Sequence, residues 1–472
     1  MSNRIEHNRT PALTIAILFL GMALSVGLHQ QSGEILDNEP TSMETHSGLN
    51  MPGSTVGSIY SLTALGASHG YTCAVLDNNE MKCWGKAENG SLGNGDDSQN
   101  QYTPVGVNEL NSNTCCFSDI EETSPDGDHS CALSDGSVYC WGLDTAGQIG
   151  HGHLSCVGNG YCVNPHGPSV LNRNIVTFTT GLRHTCAIAD DSTAWCWGEN
   201  DFGQLGVGDN DDRNAPTQVL LPAGTTPISI NAGGHTTCVI LDNGTGLCWG
   251  KSDYGHLGDG TYNNRDEPTE ISILPSNRSL VAMDLGAGHA CGILDDGTAH
   301  CWGNGTFSSG ESGGRLGDGS NESSRFPRSV SLPSGRNAIS IDVGVDHTCA
   351  ILDDSSAVCW GLNEDGQLGD GTTSNSTTPV NVSLPLGLTF GEISAGLSHT
   401  CAVATNASVY CWGDHEEGAL GLGEDVDSDV PAYVDLGTDR HALMSERDND
   451  DDGIVNILDP FPDGCPSGHY AT

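Results

Sequence analysis

Cysteine, histidine and aspartate are the residues in this chain whose types and spacing could do chemistry. Sixteen of the nineteen cysteines fall into pairs. Cys73/Cys83, Cys186/Cys196, Cys238/Cys248, Cys291/Cys301, Cys349/Cys359 and Cys401/Cys411 stand ten apart, and Cys131/Cys140 nine apart. Asp-Gly or Asp-Asp turn signals lie between the members, as in Asp295-Asp296-Gly297 and Asp135-Gly136. A hairpin folded at that midpoint sets the two cysteines opposite each other, close enough to bridge, so seven disulfides inside hairpins are expected. Cys156 and Cys162 are expected to close an eighth, small loop, which leaves Cys115, Cys116 and Cys465 without an assignment. His69, His129, His184, His235, His289, His347 and His399 precede the first cysteine of each pair. A His with two Cys could hold zinc. Seven such sites in an exported chain are implausible, and these histidines read instead as hydrogen-bonding spacers. Near the C-terminus, Asp448 to Asp459 places oxygen donors at positions 1, 3, 5, 9 and 12 of a twelve-residue loop with Gly453 at position 6. That pattern suits calcium, with Asp448, Asp450 and Asp452 ligating by side chain, Ile454 by its carbonyl, Asn456 directly or through water, and Asp459 in place of the usual Glu.

The elements that must position these groups repeat. Seven Cys-Trp-Gly triplets carry Trp84, Trp141, Trp197, Trp249, Trp302, Trp360 and Trp412, spaced 57, 56, 52, 53, 58 and 52 apart. Short apolar strands, Gly/Asp turns and the absence of a helical period at this repeat length mean a propeller or solenoid. The 64 glycines and 6% aromatic content fit a turn-rich all-β fold. Against 61 Asp+Glu the chain has 16 Lys+Arg, for a formal charge of −45, which argues against nucleic acid as a partner. Arg4 and Arg9 precede the uncharged stretch Ala12 to Leu28. This segment, 1–28, reads as a signal peptide or membrane anchor. Residues 29–58 read as a flexible linker, 59–438 as the seven-repeat propeller, and 439–472 as an acidic tail with the calcium loop. With an export segment, paired cysteines read as disulfides and the location as secreted or cell surface, and a monomer is expected.

The repeats resemble the regulator of chromosome condensation family. Glu199-Asn200-Asp201-Phe202-Gly203-Gln204-Leu205-Gly206 and Leu362-Asn363-Glu364-Asp365-Gly366-Gln367-Leu368-Gly369 are similar to its N-x-x-G-Q-L-G-x-G segment, and the tryptophan triplets to its W-G segment. The resemblance implies a seven-bladed β-propeller over about 59–438, with the ring closed by the strand near Leu62 to Leu65 joining that near Tyr433 to Leu436. The family's nuclear founder exchanges nucleotide on a small GTPase and binds chromatin. This chain departs from it in being acidic, in carrying a segment that reads as an export signal, and in its paired cysteines. The tail, with Asp459-Pro460-Phe461-Pro462-Asp463, resembles a thrombospondin type 3 or dockerin-like calcium repeat.

Function is expected in departures from the repeat, because sevenfold features serve the ring. The insertions at 143–180 and 304–315 are candidate binding loops. There is no nucleophile elbow, phosphate loop, zinc-protease helix or dinucleotide fingerprint. The main reading is a non-enzymatic extracellular or cell-surface scaffold that binds a protein or glycan through its face and loops. The alternative is a polysaccharide hydrolase or lyase at the propeller channel, favoured by carboxylates converging there. A guanine nucleotide exchange factor is the third reading.

Overall fold

In the computed structural model the described residues run from 65 to 442, apart from 109–118, 153–159, 308–312, 438–441 and a few single or paired positions. The N-terminal segment, the linker, the calcium loop, Cys115, Cys116, Cys156 and Cys465 all lie outside the described residues. No helix among the described residues is long and apolar enough to cross a membrane.

The strands form seven four-stranded antiparallel sheets, each built from four strands consecutive in sequence. Blade 1, for example, comprises β1 (Leu65–Ala67), β2 (Tyr71–Val75), β3 (Met81–Gly85) and β4 (Gln101–Gly106). The first strands of blades 2 to 7 are Ile120–Asp126, Ile175–Thr180, Pro227–Gly233, Leu280–Leu285, Ala338–Val343 and Phe390–Ala395. Each packs against the first strand of the next blade, and β1 packs against Phe390–Ala395, so the inner strands close into a ring.

Closure differs from the expectation. The segment near Tyr433 stays in its own blade, with Tyr433 opposite Tyr410, and among the described residues no four-stranded sheet draws on both ends of the chain. Because every blade is contiguous, blade 7 meets blade 1 through the same kinds of side-chain bond that join the other blades. Two extra ties are a bridge between Leu76 and the buried Ala442, beyond position 438, and a bond from Lys82 Nζ to the Leu436 carbonyl.

The hairpin of each blade is the second and third strand, with the two cysteines directly opposite. The disulfides Cys73–Cys83, Cys131–Cys140, Cys186–Cys196, Cys238–Cys248, Cys291–Cys301, Cys349–Cys359 and Cys401–Cys411 all have a Cα–Cα distance of 4.1 Å. Cys162 is also disulfide-bonded. Second strands such as His347–Leu352 are buried along their whole length rather than on alternate residues. They are interior to the sheet, and neighbouring blades cover both faces.

Two glycine positions explain much of the repeat. The glycine of every Cys-Trp-Gly triplet has φ between +97° and +109°, and a Cβ there would lie 2.3–2.7 Å from a backbone carbonyl of the preceding turn. The last glycine of the Gly-Gln-Leu-Gly block, or its counterpart, leaves no room either. A Cβ on Gly93, Gly150, Gly206, Gly258, Gly317, Gly369 or Gly421 would lie 2.6–2.9 Å from the indole nitrogen of the next blade's tryptophan. Each outer strand carries a proline: Pro104, Pro165, Pro216, Pro268, Pro327, Pro379 and Pro431. A proline removes a ladder donor from an exposed edge and so blocks addition of a further strand.

Candidate functional site

Three polar systems are candidates for function: the joints between blades, the channel, and the face built by the long loops. At each joint the buried tryptophan donates its indole N–H across to a loop carbonyl of the preceding blade at 2.8–3.0 Å, from Trp84 to Ala419 in blade 1 through Trp412 to Gln367 in blade 7. In four joints the same carbonyl also accepts the hydroxyl of the threonine before the first cysteine: Thr72, Thr185, Thr237 and Thr400. These hydroxyls have spent their one proton, so the imidazole at 2.8 Å from each must donate through Nε2–H. The pairs are His399 with Thr72, His129 with Thr185, His184 with Thr237 and His347 with Thr400, while His289 meets Thr348 at the same distance. Burial pushes the imidazoles of His129, His184 and His399 down to about 3, that of His347 to about 4, and that of His289 well below its ordinary value. They are neutral structural donors.

Only five of the seven histidines expected as spacers occupy this place. His69 and His235 sit one to two residues earlier, in surface turns, because Tyr71 and Thr236 fill the position two before the cysteine. The partners change with them. The Tyr71 hydroxyl donates to the His129 carbonyl and accepts from Ser130, while opposite Thr236 the next blade has Ala290 instead of threonine. His69 Nδ1 lies 3.6 Å from Asp126, and His235 Nδ1 2.8 Å from Glu199. With their cysteines joined to each other, neither histidine set forms a Cys/His zinc site.

Carboxylates do converge on the channel, but they are engaged in closing the ring. On five of the seven inner strands the residue opposite the first cysteine accepts from a backbone N–H of the next inner strand, while Asn231, opposite Cys238 in blade 4, instead accepts from the Ser229 hydroxyl. Ser124 accepts from Thr180 N, Thr179 from Ala232 N, Asp284 from Val343 N, Asp342 from Ala395 N and Ser394 from Ala67 N. Gly66 holds the equivalent place in blade 1 and has no side chain to accept. The residue it faces is Pro125, which has no N–H to donate, and a Cβ on Gly66 would lie 2.2 Å from the proline ring. Glu122 accepts from the Thr177 hydroxyl and Glu392 from Leu65 N. Burial lifts the Asp284 carboxyl to about 7, and raises Asp342 well above the carboxylate range, with the Asp284 charge adding to it. Burial also raises Asp126, although His69 opposes this.

The loop face carries mixed charge. Arg315, standing where three other repeats have Gln148, Gln204 and Gln367, forms a buried ion pair with Asp346 of the next blade. Between blades 3 and 4, Glu199 accepts from both His235 and Gln204, and its hydrogen bond to His235 holds it below its ordinary range. A shallow cleft between blades 7 and 1 is lined by His69, Lys86, Leu397, Asp414, Glu416 and Glu417 among others. Among the described residues, one group has the donor set for a cation: Asp414, His415 and Asp427, whose ligand atoms lie within 4.8 Å of one another. The residues expected to bind calcium, Asp448, Asp450, Asp452, Ile454, Asn456 and Asp459, lie outside the described residues. Neither the inner-strand relay nor the joint at Arg315 was recognised from sequence. The signal available was the polar residue seven before the first cysteine in every repeat but the first.

A closed ring of seven four-stranded blades with tryptophan-centred joints defines a repeat propeller. The chain belongs to the regulator of chromosome condensation (RCC1) repeat family, whose model matches residues 135–188, 191–240, 243–293, 296–351, 358–403 and 406–444. Each of the first four matches begins in or beside one blade's hairpin turn and ends in the next blade's second strand, so the family's unit spans a joint rather than a blade. The chain is 29% identical over 377 residues to the ultraviolet-B receptor UVR8 of Arabidopsis thaliana, covering 79% of this chain and 81% of that protein. It is 31% identical over 284 residues to the E3 ubiquitin-protein ligase HERC2 of Homo sapiens, of which it spans only 6%, against 59% of its own length. The fold matches the crystal structure of Prp20p from Saccharomyces cerevisiae, described with its binding to Gsp1p and histones, at a TM-score of 0.63 and 18% identity over 79% of this chain and 87% of that one.

Proposed function

We propose that this protein is an exported, non-enzymatic propeller scaffold that binds another protein through its loop-built surfaces. The observation that carries the reading is the use made of the channel carboxylates. Asp284 and Asp342 are each committed to a backbone N–H of the neighbouring blade, as Glu392 is, so the groups that a channel hydrolase or lyase would need already hold the ring together. Buried disulfides in every hairpin support an oxidising compartment, and with it the export segment at 1–28, the linker at 29–58 and the propeller from 59 to about 438. Relatives described as binding Kap60, or Gsp1p and histones, support a protein partner for the fold. The strong acidity and the oxidised cysteines set this chain apart from an intracellular exchange factor.

The tail, 439–472, adds a calcium-binding loop in this proposal. Its support is the spacing of Asp448, Asp450, Asp452, Asn456 and Asp459, with the Ile454 carbonyl as the backbone ligand. Calorimetry of the full chain with calcium, and with Asp450→Ala, tests it. The scaffold reading is tested by affinity capture with the oxidised full chain from the extracellular fraction of its source. A stoichiometric protein partner is expected. Polysaccharide cleavage that is abolished in a folded Asp284→Asn, Asp342→Asn variant would overturn the reading.

A further inference from the structure

Cations are scarce in this chain, and the described ones are almost all taken up by acids. Of the twelve lysines and arginines among the described residues, ten have a carboxylate within salt-bridge distance. Lys82 donates to the Leu436 carbonyl. Arg325 is the remaining one. It is exposed, on the outer strand Ser324–Ser329 of blade 5, and its guanidinium lies over two rings, 5.5 Å from the centroid of Tyr262 and 5.4 Å from that of Phe326.

The surroundings of Arg325 are built, not incidental. The long loop of blade 4 packs onto this strand: a Cβ on Gly255 would sit 2.7 Å from the Arg325 Cα, a Cβ on Gly260 would sit 2.7 Å from the Phe326 ring, and Gly260 N donates to the Arg325 carbonyl. The same loop presents Tyr254 and Tyr262, 47% and 52% exposed. Rings that hold the guanidinium by cation–π contact leave its edge N–H groups free to meet a planar oxyanion. Pro327 in the same strand excludes recognition by strand addition, so side chains must carry the contact.

We propose that Arg325, Tyr262 and Phe326, with Tyr254 exposed on the same loop, form a docking surface for a carboxylate-bearing segment of a partner protein, with one carboxylate held bidentate by Arg325 beside Tyr262. This rests on the scaffold reading and names the chemistry of its partner. Local charge complementarity selects a carboxylate: on an otherwise acidic protein, Arg325 is the one exposed arginine among the described residues that the described acids leave unused. Tyrosine and arginine together are the composition of interface hot spots. Tyr262 and Phe326 face the guanidinium, which leaves neither as an open platform for stacking a sugar.

The test uses the full chain, with anisotropy of a fluorescein-labelled Glu-Glu-Tyr repeat peptide as the probe and a sulfated hexasaccharide as competitor. Saturable, salt-sensitive peptide binding is expected. It should weaken about tenfold in Arg325→Glu and several-fold in Tyr262→Ala, the loss of one hot-spot side chain each. Arg336→Glu, at an arginine already paired with Asp353 and Asp354, should leave binding unchanged. Arg325→Gln serves as the second variant should the charge reversal fail to fold. Equal affinity in the Arg325 variants, binding of the hexasaccharide but not the peptide, or self-association in place of peptide binding would each overturn the proposal. A captured partner that binds Arg325→Gln as it binds the wild type would sink this surface while leaving the scaffold reading intact; failure to capture any partner would sink both.

Discussion

Thr400→Ala tests the joint between blades 6 and 7 most sharply. The hydroxyl it removes accepts the Nε2–H of buried His347 at 2.8 Å and donates to the Gln367 carbonyl at 2.8 Å. The carbonyl keeps a partner, because Trp412 Nε1 donates to it at 3.0 Å. His347 does not, and an orphaned buried donor costs about 1–3 kcal/mol. With the small cavity left by the side chain, the single variant should lose about 2–3 kcal/mol. The protein itself contains a joint without this pair: blade 4 has Thr236 in the histidine's place, its hydroxyl donating to the Lys251 carbonyl, and blade 5 has Ala290 in the threonine's place. His347→Thr combined with Thr400→Ala rebuilds that arrangement, and should cost about 1–2 kcal/mol less than the two single changes summed. Urea unfolding followed by tryptophan fluorescence, with disulfides intact, measures all three variants. Additive losses would refute the relay and reduce His347 to packing.

Further outcomes follow from the same geometry. Pro125→Ala should cost about 1–2 kcal/mol by giving the inner strand an N–H that faces Gly66 with no acceptor, and Gly66→Ser in the same chain should recover part of it; equal losses in urea for the single and double variants would contradict this. Gly369→Ala, which meets the Trp412 indole at 2.6 Å with φ at +66°, should unfold at much lower urea than Gly387→Ala, which has φ at +82° but nothing within 4 Å. In acid, the depressed imidazoles lend stability that is complete above about pH 6.5 and lost as pH falls towards 3 to 4. The raised carboxyls act in the opposite sense: the stability they lend is present below about pH 4 and lost as pH rises, through about 7 for Asp284. Seven imidazoles are held down by burial, His256 and His300 among them, against six raised carboxyls of which only Asp284 and Asp342 are raised far, so chemical denaturation should show stability climbing between pH 4 and about 6.5. A flat or falling profile would contradict the burial of the His ring.

The hairpins were the most legible part of the fold, because a Cys-x9-Cys spacing with a turn at its centre has few other readings. Trp and Gly repeat because each tryptophan needs a glycine in the preceding blade to lie against, a rule that spacing displays without explaining. What the sequence hid was relational. Gly66 and Pro125 look like unrelated irregularities until the ring places them face to face, and Thr236 with Ala290 looks like two lapses rather than one coordinated change. The expected shared closing sheet did not form because every blade draws all four strands from one stretch of chain. His69 and His235 were grouped with the buried five since a shift of one or two residues is slight in sequence, yet it moves a side chain from a joint to the surface.

The central claim, an exported ring stapled in every blade, is tested most directly by intact mass after alkylation of the protein from its native source, with and without prior reduction. Alkylation before reduction should leave at least the fourteen hairpin cysteines unmodified, and reduction under denaturing conditions should expose them all. Hairpin cysteines that react in the denatured but unreduced protein would contradict the account, and with it the case for an exported scaffold.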